Sequence, residues 1–204
     1  MTALNIIEII RLTHPGASMG EIYIYINLAI EELLRYSKYT KTKLEDFETT
    51  EDTISYDEGY PVIDILSVKV EDKHIIRIAY EATIGQNDGL VDGEYYYWVF
   101  DDSLYLVEGG EETGYLPAGL DVSVTVIKGL MDISPTNDIP QTFPTVFYEG
   151  IITKVSMMLF SRGELNPNAI MFLEKSYNTL KRKLRNEANT RKNPYGRRVL
   201  PVDY

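Results

Sequence analysis

The spacing of apolar residues changes period twice along this chain, and that change limits its possible folds more than any other feature. Near the start, "MGEIYIYINLAIEELLRYSK" puts Ile22, Ile26, Ala29, Ile30, Leu33 and Leu34 on one stripe at helical spacing. Ser18 precedes it and Glu21 follows three residues later, the spacing of a capping box. In the middle, "LDVSVTVIKG" alternates with period two. Val122, Val124 and Val126 share one face; Ser123, Thr125 and Ile127 share the other. Later, Val146, Phe147, Ile151, Val155, Met158 and Leu159 return to helical spacing, with Gly163 as the stop. Asn166 then caps a last helix with Pro167 in its first turn, expected to run to about residue 188 along Ile170, Leu173, Tyr177, Leu180 and Leu184.

Local signals fill in the rest. "NIIEIIRLTH" reads as a short helix with a broad apolar face, stopped by His14-Pro15-Gly16. "VIDILSVKV" and "HIIRIAYEA" flank Glu71-Asp72-Lys73 as one hairpin, and "EYYYWVF" and "SLYLVEG" flank Asp101-Asp102 as another. Five to seven antiparallel strands are therefore expected between residues 47 and 130, as a small sandwich or barrel. The helices from both ends need partners for their stripes and are expected to form a bundle. The sequence thus predicts an α+β chain: a helical bundle from 1–42 and 141–188, an inserted β-rich lobe over 43–140, and an extended C-terminal arm over 189–204, with the proline-rich "DISPTNDIPQTFP" as the connection back into the bundle.

Composition narrows the chemistry. The chain has 204 residues, 44% of them hydrophobic and 25% charged, which suits a folded globular protein. It has no cysteine, which excludes disulfides, a thiolate nucleophile and thiolate metal ligands. It has no apolar run of membrane-spanning length, and its first residues do not read as a signal peptide. Its net charge of -11 is unevenly spread. From Lys175 onward nine bases face two acids, while seven acids and no base lie between Glu45 and Glu58. Copies of such a chain could neutralise one another, basic end on acidic body; a solvated tail and loop is the simpler reading of charge alone.

Searches for reactive constellations give little. His14 and His74 lie at turns without partners at ligand spacing, and both read as exposed turn residues. No nucleophile elbow, zinc-protease or phosphate-loop sequence occurs. Asp88, Asp92 and Asp101 do not match an EF-hand but leave a loose calcium site open. Glu31-Glu32 and Glu111-Glu112 are neighbours whose side chains should point apart, unlike a glycosidase pair. "YYYWVF" could stack sugars or bases, but its flanks are acidic and both its faces apolar. A central strand buried by two layers, or by one layer and a neighbouring subunit, fits better. No cofactor and no metal are expected.

The order of elements carries a resemblance. A short and a long helix come first, then "YPVIDILSVKVEDKHIIRI", then "YLPAGLDVSVTVIKGLMDISPTNDIPQTFP". The helical hairpin "YEGIITKVSMMLFSRGELNPNAIMFLEKSYNTLKRKLRNEAN" comes last. This order resembles the head-to-tail adaptor (connector, gatekeeper or tubular protein A-like) proteins of tailed bacteriophages, over nearly the whole chain. The resemblance implies a structural, non-enzymatic virion protein at the neck, made in the bacterial cytoplasm. It implies a ring of about twelve copies that joins the portal protein to a tail or nozzle protein. DNA would pass through the ring without sequence-specific binding, and an acidic body would keep phosphate from sticking. It also implies that the basic arm docks on the portal or an adjacent subunit through Arg191, Lys192, Tyr195, Arg197, Arg198, Val199, Leu200 and Tyr204. Pro194 and Pro201 would keep that arm extended. Two other readings stand beside it: a carbohydrate- or calcium-binding module on the β lobe, and a cell-wall hydrolase.

Overall fold

The computed structural model describes residues 1–50, 53–55, 62–78, 90–100, 103–109, 114–161 and 167–192. The protein is α+β, with four helices and ten strands among these residues. It divides into two units. One takes Met1–Thr40 and the chain from Gly129 on; the other is Lys41–Lys128.

In the first unit, α1 (Ala3–Thr13) starts where Thr2 and Asn5 cap each other reciprocally, two residues before the run read as helical. Helix α2 (Met19–Ser37) starts at Ser18, whose Oγ accepts from the Glu21 amide, and ends at Lys38 in the left-handed conformation. The stripe expected for α2 is its buried face. Helix α3 (Thr145–Phe160) packs on α1, α2 and α4 (Pro167–Lys192). Three partners explain its wide buried face, from Val146, Phe147 and Tyr148 to Ile151 and Val155. Gly150 lets α2 approach closely, since a Cβ there would lie 3.1 Å from a Leu33 methyl.

Two expectations about this unit need correction. Residues 129–140 group with the helices, not with the β-rich lobe. Their prolines hide two buried anchors, Ile133 and Ile139. The Asn27 side-chain amide clamps Ile133, accepting from its N–H at 2.8 Å and donating to its carbonyl at 3.3 Å. Helix α4 also does not stop near 188. Ala188 is buried and the helix continues to Lys192, so Arg191 and Lys192 belong to it rather than to an arm.

The second unit holds two sheets. In one the order is β1 (Lys41–Lys43), β10 (Asp121–Lys128), β4 (Val62–Val70), β5 (Lys73–His74), with β2 (Phe47–Glu48) also on β10. In the other it is β3 (Thr53–Ser55), β8 (Ser103–Glu108), β7 (Tyr95–Phe100), β6 (Ile76–Arg77), with β9 (Gly114–Tyr115) also on β8. Val68, Val70, Val122, Val124 and Val126 of the first sheet share one core with Tyr97, Leu104 and Leu106 of the second. A register shift between β4 and β10 lets Ile65 join Val68 and Val70 on the core face, although an unbroken alternation would turn it away.

The described residues of 47–128 form nine strands, not five to seven, because several are only two or three residues long. "HIIRI" is not one strand either. Lys73–His74 closes a two-residue hairpin on β4, with Glu71 and Asp72 both at positive φ. The chain then crosses to the other sheet, where Ile76–Arg77 pairs with β7 in parallel, so the lobe is not purely antiparallel. Thr49 anchors the β2 end. Its hydroxyl donates to the Pro117 carbonyl at 2.6 Å and accepts from the Leu120 amide at 2.9 Å, inside a 4% exposed site. Thr49→Val keeps the shape and orphans both partners. It should lower the unfolding free energy of this unit by about 1–3 kcal/mol, read as a lower urea midpoint with unchanged slope.

Candidate functional site

The densest group of interacting charges lies among α2, α3 and α4. The Glu32 carboxylate accepts from Lys154 Nζ at 2.6 Å and from Lys181 Nζ at 2.9 Å. Both lysines are mostly buried, and Glu32 is about a third exposed. Lys154 and Lys181 also lie 5.2 and 5.3 Å from the Tyr177 ring centroid. Lys181 sits 4.6 Å over the Tyr36 ring, which Arg185 approaches at 5.5 Å. Burial alone would raise the Glu32 pKa, but the hydrogen bonds and charges of the two lysines outweigh it and hold the carboxyl below its ordinary range. Tyr177 is pushed strongly upward by burial and then by the Glu32 charge, so its phenol stays protonated. The Tyr177 oxygen is buried without a hydrogen-bond partner of good geometry among the described residues. One acid and two bases thus tie three helices together at a single point.

The residues singled out from the sequence are scattered. Glu31 and Glu32 do point apart: Glu31 pairs with Arg35 on the surface at 2.7 Å. His74 is exposed on β5. His14 is not the exposed turn residue it resembled. Its ring lies edge-on to Phe160 at 4.4 Å, its Nε2 is buried without a hydrogen-bond partner among the described residues, and burial lowers its pKa. Asp92 is exposed, whereas Asp88, Asp101, Glu111 and Glu112 lie outside the described residues. No group of three metal-ligating side chains occurs among the described residues.

The aromatic run is covered on both faces. Tyr97 points into the core between the sheets, and Tyr96 and Trp98 form a second cluster with Val107, flanked by Ile78, Leu90 and Tyr105. Trp98 stacks on Tyr105, its cross-strand partner, with centroids 5.1 Å apart. Trp98 is only 8% exposed, so its indole offers no open stacking face.

Of the residues assigned to partner docking, Arg191 is placed by α4. Its guanidinium donates to the Tyr39 hydroxyl at 2.9 Å and lies 5.2 Å over that ring. Tyr39 continues into Phe143 and Phe147, with centroids 5.4 and then 4.2 Å apart. Arg191 is thus tied to its own fold. Lys192 ends α4; Tyr195, Arg197, Arg198, Val199, Leu200 and Tyr204 lie outside the described residues. Among the described residues no helix is long and apolar enough to cross a membrane.

Charge follows the division into units. Lys41–Lys128 carries six bases against twenty acids, a net of -14; the remainder carries fourteen bases against eleven acids, a net of +3. Comparison with protein-family models gives no match, and comparison with curated protein sequences gives none either.

Two acid-sensitive groups act in successive windows. A depressed His14 contributes stability in full above its ordinary value of 6.5, lost as pH falls below it. Glu32 contributes in full above 4.5, lost as pH falls further. Thermal melts should show His14→Phe flattening the loss that sets in as pH falls below 6.5 and Glu32→Gln flattening the loss below 4.5. At neutral pH Glu32→Gln leaves two nearly buried lysines without a counter-charge. It should destabilise the helical unit by about 1–3 kcal/mol, less than for a fully dry pair because the carboxylate keeps some water.

Proposed function

We propose that this chain is a structural subunit of a head-to-tail adaptor ring in the neck of a tailed bacteriophage, joining the capsid portal to the tail and extending the DNA channel. The observation that carries the reading is the way the chain is built. Helices from its two ends form one unit, and a two-sheet β unit is inserted between them. That is the element order of the adaptor proteins the sequence resembles. The marked difference in charge supports it, since a subunit in a stack needs chemically distinct surfaces for unlike neighbours. The ring holds about twelve copies and acts without catalysis. The residues after Lys192 reach the portal or the adjacent subunit.

The burial of Tyr96, Tyr97 and Trp98 removes the main support for a sugar-binding module. The test is particle mass by light scattering, for the protein alone and with its candidate portal. A ring of about a dozen chains, formed alone or only on the portal, is expected; a monomer that ignores the portal would sink the reading. Truncation after Lys192 should keep the helical circular dichroism and melting temperature and abolish portal attachment. Attachment by the truncated chain would remove any role for the residues beyond α4.

A further inference from the structure

The outward face of α4 has no packing partner among the described residues. Its buried side is Tyr177, Leu180, Leu184 and Ala188, and these meet α2 and α3. On the opposite side Met171 and Phe172 are 50% and 71% exposed, although both are large and apolar. Lys175, Arg182, Lys183 and Arg185 follow along the same exposed side, and Glu174 and Glu187 are the only acids in the helix. Lys175, Arg182 and Lys183 have no charged partner among the described residues. Met171 to Arg185 is four helical turns, roughly 21 Å of surface. Apolar at one end and cationic along the rest, it is a face suited to an anionic protein surface with some apolar character.

The chain itself supplies such a surface. Its β unit carries -14, and seven of its acids lie between Glu45 and Glu58 with no base among them. Glu45, Asp46 and Glu48 are exposed there. Lys43 neutralises Asp46 at 2.8 Å; Glu45 and Glu48 have no such counter-charge among the described residues.

We infer that the exposed face of α4 docks on the acidic β unit of a second copy of this chain, at the corner formed by Glu45–Glu48. The contact is heterologous, helix of one copy on sheet of the next, so it propagates from copy to copy and closes only if the rotation allows. The inference rests on the self-assembling reading above and adds its chemistry. Charge brings the copies together and sets their order, while Met171 and Phe172 supply the apolar contact at one end. Such a contact weakens as salt shortens the reach of exposed charges.

The test uses the full chain and two charge-reversed variants. One is Lys175→Glu with Arg182→Glu and Lys183→Glu; the other is Glu45→Lys with Glu48→Lys. All five positions are exposed, so unchanged circular dichroism and melting temperature should accompany both. Sedimentation velocity should show the native chain associating at low salt and dissociating as salt rises. Each variant alone should associate at least about tenfold more weakly, and mixing the two should restore association because the reversed surfaces again complement each other. Native-like association by the helix variant would overturn the inference while leaving the ring reading intact. A monomeric native chain, alone and with the portal, would remove both. If the native chain binds a labelled DNA duplex, and the helix variant loses that binding with its own assembly unchanged, the face belongs to nucleic acid and the inference falls.

Discussion

Helix α3 can leave water only if both ends of the chain meet around it. It is apolar over most of its circumference, and α1, α2 and α4 each take part of that surface. Two of these helices precede the β unit and one follows α3. The inserted unit must therefore bring its own ends to positions that α2 and α3 can bridge. The closing contacts are local to that point. Asn27 holds Ile133, and Tyr39 packs on Phe143 while accepting from Arg191. Loop-closure entropy rises slowly with loop length, so a large insertion is tolerable once those anchors hold.

Charge plays two different parts. Between the helices it is confined to one group: Glu32 between Lys154 and Lys181 is one acid shared by two bases, buried enough to matter and paired enough to be tolerated. An all-apolar interface among three helices would allow more than one rotation of each. A single carboxylate reached by lysines from two other helices distinguishes among them. On the surface of the β unit, charge is abundant and mostly acidic.

Much of this architecture was legible because periodicity is a local property. The stripe from Ile22 to Leu34 and the alternation from Val122 to Val126 each lie within a single element, and each is buried as its period implies. Partner choice was not legible. "HIIRI" is apolar throughout, and nothing in it marks where the chain leaves one sheet for the other. Prolines made 129–140 look like a loop, though Ile133 and Ile139 were available as anchors. The end of α4 could have been placed better, since no proline or glycine intervenes between 188 and Pro194. The Glu32 group joins residues distant in sequence. Its one visible trace was Lys154, a lone charge within an otherwise apolar helix face. The basic residues past Lys192 were read from composition and stay in the realm of the proposed function.

The inserted position of the β unit also has a consequence for the order in which the protein matures during synthesis. When α2 leaves the ribosome its apolar stripe has no partner, because α3 and α4 are not yet made. At common elongation rates that interval lasts on the order of ten seconds. The β unit needs only Lys41–Lys128 to complete its core, so it can finish first. The nascent chain thus carries a folded bead between an orphaned amphipathic hairpin and the peptidyl exit. Its solubility in those seconds depends on the acids of that bead and on whatever chaperone shelters Ile22, Ile26 and Leu33 until α3 arrives.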